Sequence, residues 1–276
     1  MSAPSLQPSH SAITSRLRAA GCVFAEDEAG LLIAAADTPE GLERLVERRV
    51  SGQPLEYLLG WAEFHGQHIA VDPGVFVPRR RTEYLVEEAA RLARPGAVVV
   101  DLCCGSGAVG AALAAAVGGI ELHAADVDPA AVRCARRNLG PVGGQVHEGD
   151  LYSALPDSLR GRVDLLVANA PYVPTHSIGM MPPEARLHEP RVALDGGADG
   201  LDVQRKIAGE ASLWLAPGGR LLIETSVRQA PTTAALLEDA GLTARICQSE
   251  EFDATVVLGS REKTAENDQP TDFSGH

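Results

Sequence analysis

The sequence predicts an α/β protein: a mostly parallel sheet covered by helices on both faces, preceded by a small helical domain and a linking β-hairpin. Two observations carry this expectation. From Ala97 onward, short β-branched apolar runs alternate with helix-period segments, the pattern of parallel strands joined by crossover helices. Upstream, residues 11–50 have helical periodicity, whereas 52–78 scatter Trp61, Phe64, Ile69, Val71 and Val75 among glycines and prolines.

Residues 1–10 and 263–276 are polar and are expected to be disordered tails. In the helical domain, 11–52, the clearest stripe is Leu42, Leu45, Val46 and Val50, with Thr38 as N-cap and Pro39 as the first helical residue. Its faces are too small to be stable without packing on the rest of the chain. The hairpin linker, 53–80, is expected to turn at Gly66-Gln67. Residues 81–262 form the main domain. Thr82 caps a helix with Leu85, Val86, Ala89, Ala90 and Leu92 on its apolar face, closed by Pro95-Gly96. Strands follow at 98–100, 120–125, 145–147, 163–168 and 220–224, and helices at 108–117, 129–139, 201–215 and 232–240. A strand pair at 242–247 and 254–258 closes the chain.

Composition narrows the function. Apolar residues make up 45% and charged residues 22%, the balance of a soluble globular protein. No apolar run approaches the roughly 18 residues of a membrane span, and no secretory signal pattern opens the chain, so a cytoplasmic location is expected. Cys22, Cys103, Cys104, Cys134 and Cys247 form no CxxC pair and have no histidine at zinc spacing; they read as reduced thiols, and no metal site is expected. A net charge of −13 repels a phosphate backbone, so stable nucleic-acid binding is not expected despite the basic run Arg79-Arg80-Arg81.

Candidate chemistry gathers at strand ends. The first main-domain strand runs into Asp101-Leu102-Cys103-Cys104-Gly105-Ser106-Gly107 and then into a helix, a junction where glycines let a backbone approach a ligand closely. Residues 105–110 also satisfy GxGxxG, and Asp126 ends the next strand where an acid binds ribose hydroxyls, which fits a nicotinamide dinucleotide as well. Asp101 separates the two cofactors, because a carboxylate there repels a pyrophosphate and attracts a cation. A third acid, Asp150, follows the third strand and could accept from an adenine amino group. Adenosine with a positive charge and no phosphate describes S-adenosylmethionine. At the end of the fourth strand stands Asn169-Ala170-Pro171-Tyr172, a side-chain amide, a carbonyl aimed by a proline and an aromatic ring.

The segments VVVDLCCGSGAVG, HAADVDPAAV, GDLY and NAPY, in this order, resemble the class I (Rossmann-like) S-adenosylmethionine-dependent methyltransferases. More narrowly they are similar to the HemK-like protein-(glutamine-N5) methyltransferases, which act on release factors or a ribosomal protein. QPLEYLLGWAEFHG, VFVPRRRTEYLVE, EPRVALDGGADGLD and GGRLLIE extend the resemblance over roughly residues 40–260. It implies a substrate-recognising N-terminal domain and a protein partner with an exposed glutamine. It further implies a cofactor site of Asp101, Cys103, Gly105, Gly107, Asp126, Val127, Asp150, Leu151 and Asn169, and a glutamine amide held by Asn169, Ala170, Pro171 and Tyr172. The chain departs from the family at Ala170, where Asn-Pro-Pro-Tyr is usual, and at Glu224-Thr225-Ser226, where Glu-Ile-Gly is usual. Asn169 Oδ1 and the residue 170 carbonyl are pure acceptors and suit both N–H groups of a carboxamide. Rival expectations are an adenine-N6 nucleic-acid methyltransferase, a small-molecule methyltransferase, a non-catalytic S-adenosylmethionine-binding partner and a nicotinamide enzyme. Glu83 and Glu189 are further candidates for holding the substrate loop.

Overall fold

A computed structural model describes residues 9–263; the tails expected to be disordered otherwise lie outside the described residues. Helix α1 (His10–Ala19) begins inside the stretch expected to be unstructured, because Ser9 acts as its N-cap and accepts from the Ala12 N–H at 3.3 Å. With α2 (Ala25–Ala35) and α3 (Pro39–Val50) it encloses a separate apolar cluster containing Ile13, Leu17, Leu32, Leu42 and Val46. Thr38 caps α3 through the Gly41 N–H, with Pro39 in its first turn. Val50, expected on the buried stripe, is exposed, and its neighbour Arg49 is buried instead. The Arg49 guanidinium meets Glu28 of α2 through two contacts, 2.6 and 3.2 Å, and reaches Glu184 of a distant helix at 3.3 Å.

A short helix, α4 (Leu55–Leu59), precedes the hairpin strands β1 (Trp61–Phe64) and β2 (Gln67–Ala70). Its five residues leave too little apolar periodicity to register in the sequence. The hairpin turns at His65-Gly66, one residue before the expected place. Both have positive φ, 49° and 71°, as a two-residue type I′ turn requires.

The expected strand–helix alternation is present: α5 (Glu83–Ala90), β3 (Val98–Leu102), α6 (Ala108–Val117), β4 (Glu121–Asp126), α7 (Pro129–Leu139), β5 (Gln145–Glu148) and β6 (Val163–Ala168). After the unforeseen α8 (Pro183–His188) come α9 (Asp202–Trp214), β7 (Leu215–Thr225), α10 (Ala230–Asp239), β8 (Thr243–Ser249) and β9 (Ala254–Ser260). The seven-stranded sheet has the order β5-β4-β3-β6-β7-β9-β8, parallel from β5 to β7, with β9 antiparallel to both its neighbours.

Strand alternation divides the core. Leu165 and Val167 of β6 face the cluster filled by α5, α6 and α7, while Leu166 and Ala168 face the one filled by α9 and α10. Each fully buried Leu or Val side chain among these contributes about 1.5–3 kcal/mol. No described helix is long and apolar enough to cross a membrane.

Because Arg49 and Glu28 are both buried, removing one leaves the other's charge without its main partner. Glu28→Ala is expected to lower unfolding free energy by about 3–5 kcal/mol, measured by urea denaturation.

Candidate active site

Parallel register sets the site. Leu102 stands beside Ala125 of β4 and Ala168 of β6, and Ala168 stands beside Ile223 of β7. The residues that follow, Cys103, Asp126, Asn169 and Glu224, therefore fall on one line across the strand ends. Connections run outward in opposite directions from β3 and β6, so this line crosses the topological switch point, where open α/β sheets bind ligands. A cavity of about 470 Å³ opens there. Asp101, Cys103, Gly105, Asp126, Val127, Asp150, Leu151, Asn169, Ala170, Pro171 and Tyr172 all line it.

Gly107 is the one residue of that expected set outside the cavity lining. It lies at the N-terminus of α6 with φ +79°, and a Cβ there would meet the Leu139 side chain of α7 at 3.0 Å. Its place is helix packing. Lacking a side chain, it cannot cap α6, and Asp101 does so from the strand: Oδ2 accepts from the Gly110 N–H at 3.1 Å. Asp101 is 2% exposed. Burial, with the nearby Asp126 charge adding to it, pushes its carboxyl up to about 7.

Asp126 ties the cofactor loop to β4, accepting from Gly105 N–H at 2.8 Å and Asp128 N–H at 2.9 Å. Burial raises its pKa as well. Cys103 and Leu151 both adopt positive φ, 57° and 49°, at the turns bordering the cavity. Asp150 is exposed and 3.5 Å from the Lys206 ammonium, which also lines the cavity.

The opposite wall holds the strand end of β6. Thr82 does not cap α5, as the sequence suggested; it sits in a 3-10 turn with helical φ and ψ, which turns its hydroxyl away from the helix N–H groups. That hydroxyl is buried and accepts from Asn169 Nδ2 at 3.2 Å. The amide is thereby oriented, leaving Asn169 Oδ1 as the acceptor toward the cavity. Among the described residues nothing donates to the Ala170 carbonyl. Tyr172 is partly buried, and burial, reinforced by the Glu224 charge, pushes its phenol up to about 12.

Glu224 and Thr82 were not expected as site residues, and both line the cavity. The signal available was positional: Glu224 ends the strand beside β6. Arg79 and Arg81 line the mouth; Arg79 pairs with buried Glu189 at 2.6 Å and covers the Phe76 ring. Glu189 also accepts from the Val77 N–H, so it pins the mouth from outside the cavity lining. Glu83 lies elsewhere, its carboxylate accepting from the His65 N–H at the hairpin turn.

Carboxylates at the ends of β3, β4 and β5, one of them buried and aimed into the cavity, suit an adenosyl cation better than a dinucleotide pyrophosphate. Residues 67–183 match the methyltransferase small domain family. A release factor glutamine methyltransferase of Geobacter sulfurreducens is 42% identical over 199 residues, 71% of this chain and 69% of that one. A 4-amino-L-phenylalanine/4-methylamino-L-phenylalanine methyltransferase of Streptomyces pristinaespiralis is 37% identical over 214 residues, 75% and 73% of the two chains. A methyltransferase structure from Pyrococcus furiosus shares the fold, with a TM-score of 0.55 at 16% identity over 78% of this chain and 97% of that one. The register line, the acidic wall of the cavity and these likenesses agree: the chain belongs to the release factor glutamine methyltransferase family, and it is an enzyme.

Proposed function

We propose that the protein transfers a methyl group to the side-chain amide nitrogen, N5, of a glutamine in a peptide chain release factor. The observation that supports this reading is the pair of free acceptors at the end of β6, Asn169 Oδ1 and the Ala170 carbonyl. S-adenosylmethionine supplies an electrophilic sulfonium methyl. An amide nitrogen is a weak nucleophile because its lone pair is delocalised into the carbonyl. Two acceptors that take both N–H groups fix the plane of the amide and concentrate electron density on nitrogen. Pro171 keeps Ala170 extended and aims its carbonyl, so the exchange of proline for alanine at 170 retains that acceptor. Tyr172 walls the acceptor pocket. Catalysis here is positioning and fixed dipoles.

On the cofactor side, Asp101 faces the cationic methionine end, Asp126 the ribose and Asp150 the adenine, with Cys103, Gly105, Val127 and Leu151 forming the walls. The helices at 11–52 contribute the surface that grips the protein substrate, and Arg49–Glu184 ties them to the wall of the cavity mouth. The likeness to a 4-amino-L-phenylalanine methyltransferase favours one second reading, a free aromatic amine as acceptor. Its nitrogen is likewise conjugated and carries two N–H groups.

The deciding experiment offers isotopically labelled cofactor with purified release factor and, separately, 4-amino-L-phenylalanine. Label on one release-factor glutamine is expected; label only on the amino acid would overturn the assignment. Asn169→Ala is expected to lower kcat on the order of 10²-fold, while cofactor affinity, measured by calorimetry, changes less than about threefold.

Asp101 sets a pH dependence. Its carboxyl is raised to about 7 without cofactor, so the native state holds this proton where the unfolded chain has lost it. Stability of the cofactor-free protein from this group is full below the unfolded carboxylate pKa and falls as pH rises through about 7. A cation favours the ionised form, so cofactor affinity is expected to rise with pH and level off above about 7. Asp101→Asn, titrated calorimetrically, is expected to bind weakly and without that rise.

A further inference from the structure

The geometry points to Glu224 as a positioning residue for methyl transfer, acting through the Thr82 hydroxyl on Asn169 and directly on the Tyr172 hydroxyl. This rests on the reading of Asn169 as the acceptor-binding residue. Glu224 is the last charged group of β7, one residue beyond the Ala168–Ile223 pair, and is 2% exposed. Its Oε2 has no hydrogen-bond partner among the described residues. A buried carboxyl with an unpaired oxygen is costly.

Proton accounting supplies the reason. The Thr82 hydroxyl has one proton and accepts from Asn169 Nδ2 at 3.2 Å, so its own proton must be donated elsewhere. Glu224, Thr82, Asn169 and Tyr172 line one cavity, and the Thr82 and Tyr172 hydroxyls both stabilise the charge of the Glu224 carboxylate, which makes it the acceptor for that proton in the proposed network. An ionised Glu224 thus orders a chain in which Asn169 donates to Thr82 and Thr82 donates to Glu224. Each donation polarises the next group, and the Asn169 amide places more negative charge on Oδ1. In the proposed network the same carboxylate also draws the Tyr172 hydroxyl. Protonation of Glu224 reverses the logic: a carboxylic acid can donate to Thr82, and then Thr82 no longer needs to receive Asn169 in one orientation.

The groups facing Glu224 are the Thr82 and Tyr172 hydroxyls, which stabilise its charge, and Arg81, whose guanidinium does so at longer range from the 3-10 turn. Burial outweighs them and pushes the carboxyl up to about 7. The network therefore switches near neutral pH, with the ordered form above it.

The test compares the full-length wild type with Glu224→Gln, Thr82→Val and Thr82→Ser. The carboxamide introduced by Glu224→Gln keeps the shape but is uncharged and offers one accepting oxygen in place of two. For the wild type, kcat is expected to rise with pH through a group near 7. Glu224→Gln and Thr82→Val are expected to lose about tenfold or more in kcat and to lose that rise, with the cofactor KM changing less than about twofold. Thr82→Ser keeps the hydroxyl and restores the rate. A second readout needs no acceptor: the Asn169 side-chain amide resonances, followed by NMR, are expected to titrate near pH 7 in the wild type and to stay fixed in Glu224→Gln. A wild type that methylates nothing on a release factor sinks the acceptor assignment, and the NMR titration then decides the network by itself. A pH-independent Asn169 resonance, or a Glu224→Gln enzyme with an unaltered kcat profile, overturns the inference.

Discussion

The hydrogen-bond register of the parallel sheet is the constraint on which the rest depends. Leu102, Ala125, Ala168 and Ile223 are neighbours across four strands, so every strand from β4 to β7 delivers its next residue to one line. A slip of one residue in β6 would exchange its two faces, moving Leu165 and Val167 into the core of the opposite layer. The same slip would withdraw Asn169 from the cavity. Packing and chemistry are thus specified by the same pairing, and the apolar core enforces the geometry of the polar site.

Three buried or part-buried carboxyls gather on or beside that line, and each is offset locally. Asp101 accepts from the α6 N-terminus, Asp126 holds two backbone N–H groups, and Glu224 faces two hydroxyls and an arginine. None of these arrangements fully compensates for burial, as the upward shifts of all three show. The residual cost is lodged along the cavity. Of the four described non-glycine residues at positive φ, Cys103 and Leu151 border the cavity, while His65 and Asp253 lie in turns elsewhere.

The strand–helix alternation was legible because each buried run, such as residues 163–168, is bounded by turn residues and is too short for a helix. Asp101, Asp126 and Asn169 were legible because a strand end followed by glycine or proline announces itself in one dimension. Thr82 was misread for the opposite reason. Threonine before a helical stripe has the local signature of a cap, and only the tertiary fold reveals that its hydroxyl serves Asn169, 87 positions away. The motif gave no hint that Gly107 packs against Leu139, a contact that leaves no room for a side chain there. Arg49 on the buried face of α3 was unreadable because its partners Glu28 and Glu184 lie on two other helices. Local rules found elements and strand ends; they could not find partners distant in sequence.

The central claim is that Asn169 is held with Nδ2 on Thr82 and Oδ1 offered to the acceptor nitrogen. A crystal structure with S-adenosylhomocysteine and a glutamine-bearing release-factor fragment tests it most directly. The account predicts the glutamine amide nitrogen within about 2.7–3.2 Å of both Asn169 Oδ1 and the Ala170 carbonyl, with the Thr82 contact intact. A glutamine amide seated elsewhere, or an Asn169 side chain turned away from Thr82 with its acceptor in place, would contradict it.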